Sequence, residues 1–120
     1  MQYRELVKTV QDHSGFSGQE SEQALRLVVE SLAAQLTDDE RRDFASQLPL
    51  ELKELALEAA ADKMEPEELC EELSELEEID EGHAKKQIFA VWETLKDSLS
   101  DGQIRHIRDQ LSQRWLAWLH

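Results

Sequence analysis

Two prolines and four glycines are all that interrupt 120 residues, so long regular elements are expected. Cysteine is scarcer still. Cys70 stands alone, which rules out an internal disulfide and leaves no pointer to an oxidising compartment. It lies between Leu69 and Leu73 on a predicted helix, where a thiol packs as a small apolar side chain. No run of about 18 apolar residues occurs, so no membrane-spanning helix is expected. The opening MQYRELVKTV reaches Asp12 without the basic-then-apolar pattern of a secretory leader, and a cytoplasmic location is the expectation. Positive charge is short as well: 13 Lys and Arg stand against 27 Asp and Glu, a net charge of -14. Nucleic acid and anionic membrane surfaces are therefore not expected partners, because both need cations to meet phosphates. The charge serves solubility, while a basic protein partner or a cation stays open.

Hydrophobic residues at 40% beside charged residues at 33% describe a globular chain with a charge-rich surface. The length suits one domain over residues 1–120, burying roughly two-thirds of its unfolded surface.

The sequence matches itself at an offset of 63 residues. Residues 25–48 (LRLVVESLAAQLTDDERRDFASQL) align with 88–111 (IFAVWETLKDSLSDGQIRHIRDQL). Val28 matches Val91, Glu30 matches Glu93, Leu32 matches Leu95 and Leu36 matches Leu99. Where identity is lost, apolar character stays: Phe44 falls on Ile107, Leu52 on Trp115 and Leu55 on Trp118. Upstream, Leu6, Val7, Val10 and Phe16 fall on Leu69, Cys70, Leu73 and Ile79. One ungapped register across nearly the whole chain predicts two tandem copies, 1–63 and 64–120.

Each copy reads as four helices. The first is expected near 2–13, with Tyr3, Leu6, Val7 and Val10 at helical spacing, then a break at Gly15. The second, near 18–36, carries Leu25, Val28, Val29, Leu32 and Leu36. The third lies near 38–48. Ser17 with Glu20, and Thr37 with Glu40, have capping-box spacing at these two starts. Pro49 fits the first turn of a fourth helix. In the second copy Asp80 stands for Ser17, and Ser100 with Gln103 stands for Thr37 with Glu40. The fold class expected is all-α: a compact bundle of about eight helices in two four-helix repeats around a pseudo-twofold axis.

Charge and bulk are unevenly shared. Residues 1–83 carry 7 basic and 23 acidic side chains, whereas 84–120 carry 6 and 4. The segment 62–81 alone holds 11 carboxylates and one lysine, Lys63. Leu69, Leu73, Leu76 and Ile79 give it an apolar stripe, with Glu67, Glu68, Glu71, Glu72, Glu75 and Glu78 as the wet face of an amphipathic helix. Arg105 and Arg108 form a basic face suited to pairing with it. All three tryptophans lie in the second copy. Trp92 is expected in the core. Trp115 and Trp118, near the chain end, fit either core filling or an aromatic patch for a partner.

No catalytic constellation emerges. Glu-x-x-His, needed by di-iron bundles, does not occur, and His13, His83, His106 and His120 are scattered. Asp80 with His83 comes nearest, at a helix start where Asp80 is already a cap. Cys70 has no histidine close in sequence, and the glycines form no phosphate loop. His106 and Asp109 have the spacing of any surface ion pair.

The opening MQYREL, the block VVESLAAQLTDDERRDFASQLPLELKEL and its degenerate second copy resemble domain-of-unknown-function family 2267. Leu32-x-x-x-Leu36 followed by Ala45-Ser-Gln-Leu-Pro49 carries most of that likeness. Ser112 departs from it, standing where the pattern has a proline. The resemblance implies a compact helical fold of bacterial, cytoplasmic origin and supplies no activity. The functional expectation is a non-catalytic module without cofactor, binding a protein partner or itself through Trp115 and Trp118 or through the acidic helix. The alternative is a divalent metal or small ligand held by the carboxylates of 62–81.

Overall fold

Side-chain oxygens start five of the helices. The computed structural model describes residues 2–59 and 63–119, and among them contains eight helices and no strand. These are α1 (Tyr3–Ser14), α2 (Gly18–Ala34), α3 (Asp38–Ser46), α4 (Leu50–Leu57), α5 (Pro66–Glu77), α6 (Glu81–Ser98), α7 (Asp101–Gln110) and α8 (Gln113–Trp118). Ser17, Thr37, Asp80, Ser100 and Ser112 each accept the backbone N–H three residues on. Each fills one of the donors a helix start leaves orphaned. Ser112 stands 63 residues after Pro49 and caps α8 through its hydroxyl, whereas Pro49 heads α4 with no side-chain bond.

Three local expectations are corrected. Helices α2 and α3 stop two residues early, because their exits tighten: Leu36 N–H donates to Ala33 and Leu48 N–H to Ala45. Pro49 caps α4 with extended geometry and does not enter its first turn. Glu20 and Glu40 do not reach back to Ser17 and Thr37. Glu20 meets His83 and Gln87, and Glu40 meets Gln103 and His106.

Helices α5 to α8 begin 63 residues after α1 to α4, at Pro66, Glu81, Asp101 and Gln113 against Tyr3, Gly18, Asp38 and Leu50. The left-handed exits of α1 and α5 obey the same spacing, at Gly15 (φ 77°) and Glu78 (φ 54°). Glycine takes that conformation freely, whereas a side chain there costs roughly 1–2 kcal/mol.

The core sits between α2 and α6, which pack on each other. Leu25, Val28, Val29 and Leu32 from α2 meet the same interior as Ile88, Val91, Trp92 and Leu95 from α6, and all are buried. Helix α1 lies on α6 and α2, α5 lies on α6 and α2, α4 joins α2 and α3, α7 lies on α3, and α8 lies on α5. The radius of gyration is 13.0 Å, close to the roughly 13.6 Å of a compact 120-residue globule. Among the described residues no helix is long and apolar enough to cross a membrane.

The acidic helix departs from its expected stripe. Pro66, Leu69, Cys70 and Leu73 are its buried residues, but Leu76 is 56% exposed. At 100° per residue, Leu76 falls about 70° from the centre of that buried arc and Glu77 about 30°. The last inward position of α5 therefore goes to a carboxylate, and a leucine is left outside. Helix α7 does not pair with α5 either. Arg108 lies over the Trp92 ring, 5.7 Å from its centroid, and the arginine that meets α5 is Arg114 of α8, 2.9 Å from Glu67.

Candidate interaction groove

Helix α6 turns a second face outward. Its core positions point to α2, while Gly82, Lys85, Lys86, Phe89 and Glu93 follow one another at helical spacing on the other side. The end of α1 (His13, Ser14) and the end of α8 (Ala117, Trp118) wall this face into an open groove of about 590 Å³. That volume lies within the roughly 300–1,000 Å³ of ligand pockets. Phe89 is 37% exposed, and Trp118 is partly buried against the core. The Lys85 ammonium sits 4.8 Å from the centroid of the Trp118 ring, within cation–π range.

The electrostatics of the groove follow from which charges are already matched. Glu93 Oε1 lies 2.8 Å from Lys96 Nζ, and His13 Nε2 lies 3.0 Å from Asp97 Oδ2. Lys85 and Lys86 have no carboxylate within ion-pair distance among the described residues. An aromatic floor with two unmatched cations thus stands on a chain of net charge -14.

The residues expected to form an interaction surface separate. Trp115 is wholly buried, and its indole N–H donates to the Met64 carbonyl at 3.0 Å. It therefore offers nothing to a partner, because the ring that would bind is the one that fills space under α5. Trp118 remains available in the groove. Glu67 is half-buried and matched by Arg114, and Glu68 accepts the Glu65 N–H at 3.2 Å to close the start of α5. Glu71, Glu75 and Glu78 are exposed and Glu72 is half-buried. Asp62 lies outside the described residues. Among those described, no three histidine, cysteine or carboxylate side chains gather closely enough to hold a metal ion.

A second polar cluster joins the ends of α2, α5 and α6. His83 Nε2 lies 2.9 Å from Glu20 Oε2, its ring stacks on Phe16 at 3.9 Å, and Gln87 donates to the same carboxylate oxygen at 3.2 Å. Glu77 borders it. Burial pushes the Glu77 carboxyl above the usual range, a hydrogen bond from Gln87 opposes this, Glu20 adds to it and His83 opposes it again. A carboxyl that holds its proton more tightly when folded contributes stability below its unfolded pKa of about 4.3. That contribution is lost as pH rises through the raised folded value. Glu77→Gln is therefore expected to raise the urea midpoint at pH 7, with the gap to the native chain closing near pH 4. An equal gap at both pH values, or a lower midpoint at pH 7, contradicts it.

Cys70 is buried, and its Sγ donates to the Glu81 carbonyl at 3.3 Å. Burial pushes its thiol pKa up, Glu81 adds to this and Lys85 opposes it. A thiol so placed is a weak nucleophile.

The model of the family described as "Uncharacterized conserved protein (DUF2267)" matches residues 3–117. The chain belongs to that family. No curated protein and no solved structure matches it. For this member of DUF2267, the groove residues Lys85, Lys86 and Phe89 escaped sequence reasoning. One signal was present: once Ala84, Ile88, Val91, Trp92 and Leu95 are assigned to the core, Phe89 stands alone as an aromatic on the wet face of α6.

Proposed function

We propose that this chain is a non-catalytic helical interaction module that takes an acidic, apolar segment of a partner protein into the groove between α1, α6 and α8. The single observation behind it is the pairing of two half-exposed aromatics, Phe89 and Trp118, with two lysines that have no carboxylate within ion-pair distance among the described residues. Apolar contact supplies affinity in such a groove, and the lysines select acidic partners over the acidic protein's other neighbours. Its bacterial, cytoplasmic setting rests on the family resemblance.

The reading includes a doubled architecture, in which 1–63 and 64–120 are copies facing each other across a pseudo-twofold axis. Reciprocal contacts support it. Thr37 N–H donates to Gln110 Oε1 at 2.8 Å, and Ser100 N–H donates to Gln47 Oε1 at 3.5 Å. Each partner in one contact has its 63-residue counterpart in the other, as an isologous arrangement requires. Glu20 with His83 and Glu40 with Gln103 touch their own counterparts, a property of residues lying on such an axis.

The test is titration with a synthetic acidic amphipathic helix carrying Glu and Leu at i, i+3 and i+4. Shifts are expected at the Trp118 indole N–H and the Phe89 ring. They should weaken at least about tenfold in Lys85→Glu/Lys86→Glu. Absence of shifts up to about 1 mM peptide removes the reading.

A further inference from the structure

The same chain carries a segment with the chemistry the groove asks for. On α5, Leu76 is 56% exposed, and Glu72 and Glu75 sit four and one residues before it on the outward side. Of the carboxylates in α5, only Glu67 has a cationic partner among the described residues. The groove offers the converse: Lys85 and Lys86 without carboxylates, around Phe89 and Trp118. Each surface holds what the other lacks, and both remain unmatched within one copy.

We infer that the groove's occupant is a second copy of this chain, with Leu76 seated between Phe89 and Trp118 and with Glu72 and Glu75 facing Lys85 and Lys86. This rests on the groove being a docking site, as proposed above. The mode is helix-in-groove, with an apolar anchor for affinity and flanking charges for register. The contact joins different surfaces, so we take two copies to exchange it reciprocally around a twofold axis, which completes both contacts in a dimer; without that exchange the same contact would run on into a ring or an open chain of copies. One anchor per contact makes the dimer weak and exchanging, below the size class of obligate interfaces. Docking against unpaired charge also relieves the repulsion among neighbouring carboxylates along α5.

Sedimentation equilibrium of the full chain over roughly 10 µM to 1 mM tests this. The native chain is expected to move from monomer to dimer. Leu76→Asp and Lys85→Glu/Lys86→Glu should each stay monomeric with unchanged helical circular dichroism. An equimolar mixture of the two should regain association, weaker than the native pair, because one complete contact can form: the groove of the Leu76→Asp copy takes α5 of the other. A native chain that stays monomeric at 1 mM overturns the inference, as does a dimer indifferent to both variants or a mixture that does not associate. If the acidic peptide binds the groove while the native chain remains monomeric, only the self-partner is lost. If neither binds, the groove reading falls with it.

Discussion

Trp115→Ala should cost the chain about 3–5 kcal/mol, the scale of a buried tryptophan cut to alanine. Domains of this kind are stable by only about 5–15 kcal/mol, so the loss is a large share of the whole. Trp115 has no exposed surface, and its position in the short helix α8 is set by the Ser112 cap below it. Its indole N–H and the Gln35 side-chain amide both donate to the Met64 carbonyl, at 3.0 and 3.2 Å. That one carbonyl ties the segment before α5 to α8 and to the residue that ends α2. Removing Trp115 leaves a cavity beside α5 and breaks one of the two ties. Trp118→Ala should behave differently, costing about 1 kcal/mol or less, since its ring is partly solvated and its chief polar contact is the exposed Lys85. Urea unfolding of the two variants checks the contrast. A Trp115→Ala protein within about 1 kcal/mol of the native chain, or a Trp118→Ala protein as damaged as Trp115→Ala, contradicts the assignment of one ring to core and the other to groove.

The division between these rings marks the limit of what the sequence disclosed. Caps at Ser17, Thr37, Asp80 and Ser100 were legible because capping is chemistry within three residues of a helix start. The burial of Leu32 and Leu95 was legible because each belongs to a broad stripe that only a core can use. Glu20 and Glu40 were misassigned to their own helix starts because their partners lie 63 or more residues away, beyond any local rule. Leu76 was misassigned because three-to-four spacing tolerates an error of about 70°, enough to move one residue from inside to outside at the end of a helix. The groove was illegible as a groove. Its walls come from α1, α6 and α8, and only their packing brings His13, Phe89 and Trp118 together.

Glu20→Ala should destabilise the chain by about 2–3 kcal/mol, although Glu20 is itself partly exposed. Its carboxylate is where α2 meets α6 by polar contact. One oxygen takes both the His83 ring nitrogen and the Gln87 amide. Gln87 is fully buried, and its Oε1 already lacks a partner. Truncating Glu20 takes from the Gln87 amide nitrogen the carboxylate it donates to, and an underpaired buried amide carries most of the cost. A double change, Glu20→Ala with Gln87→Leu, should therefore recover part of the loss, since it removes both the acceptor and the donor that needed it. Thermal and urea unfolding of the single and double variants measure that coupling. Strict additivity of the two changes, or a Glu20→Ala protein as stable as the native chain, means the contact between α2 and α6 is held by apolar packing alone and the polar cluster contributes nothing to joining them.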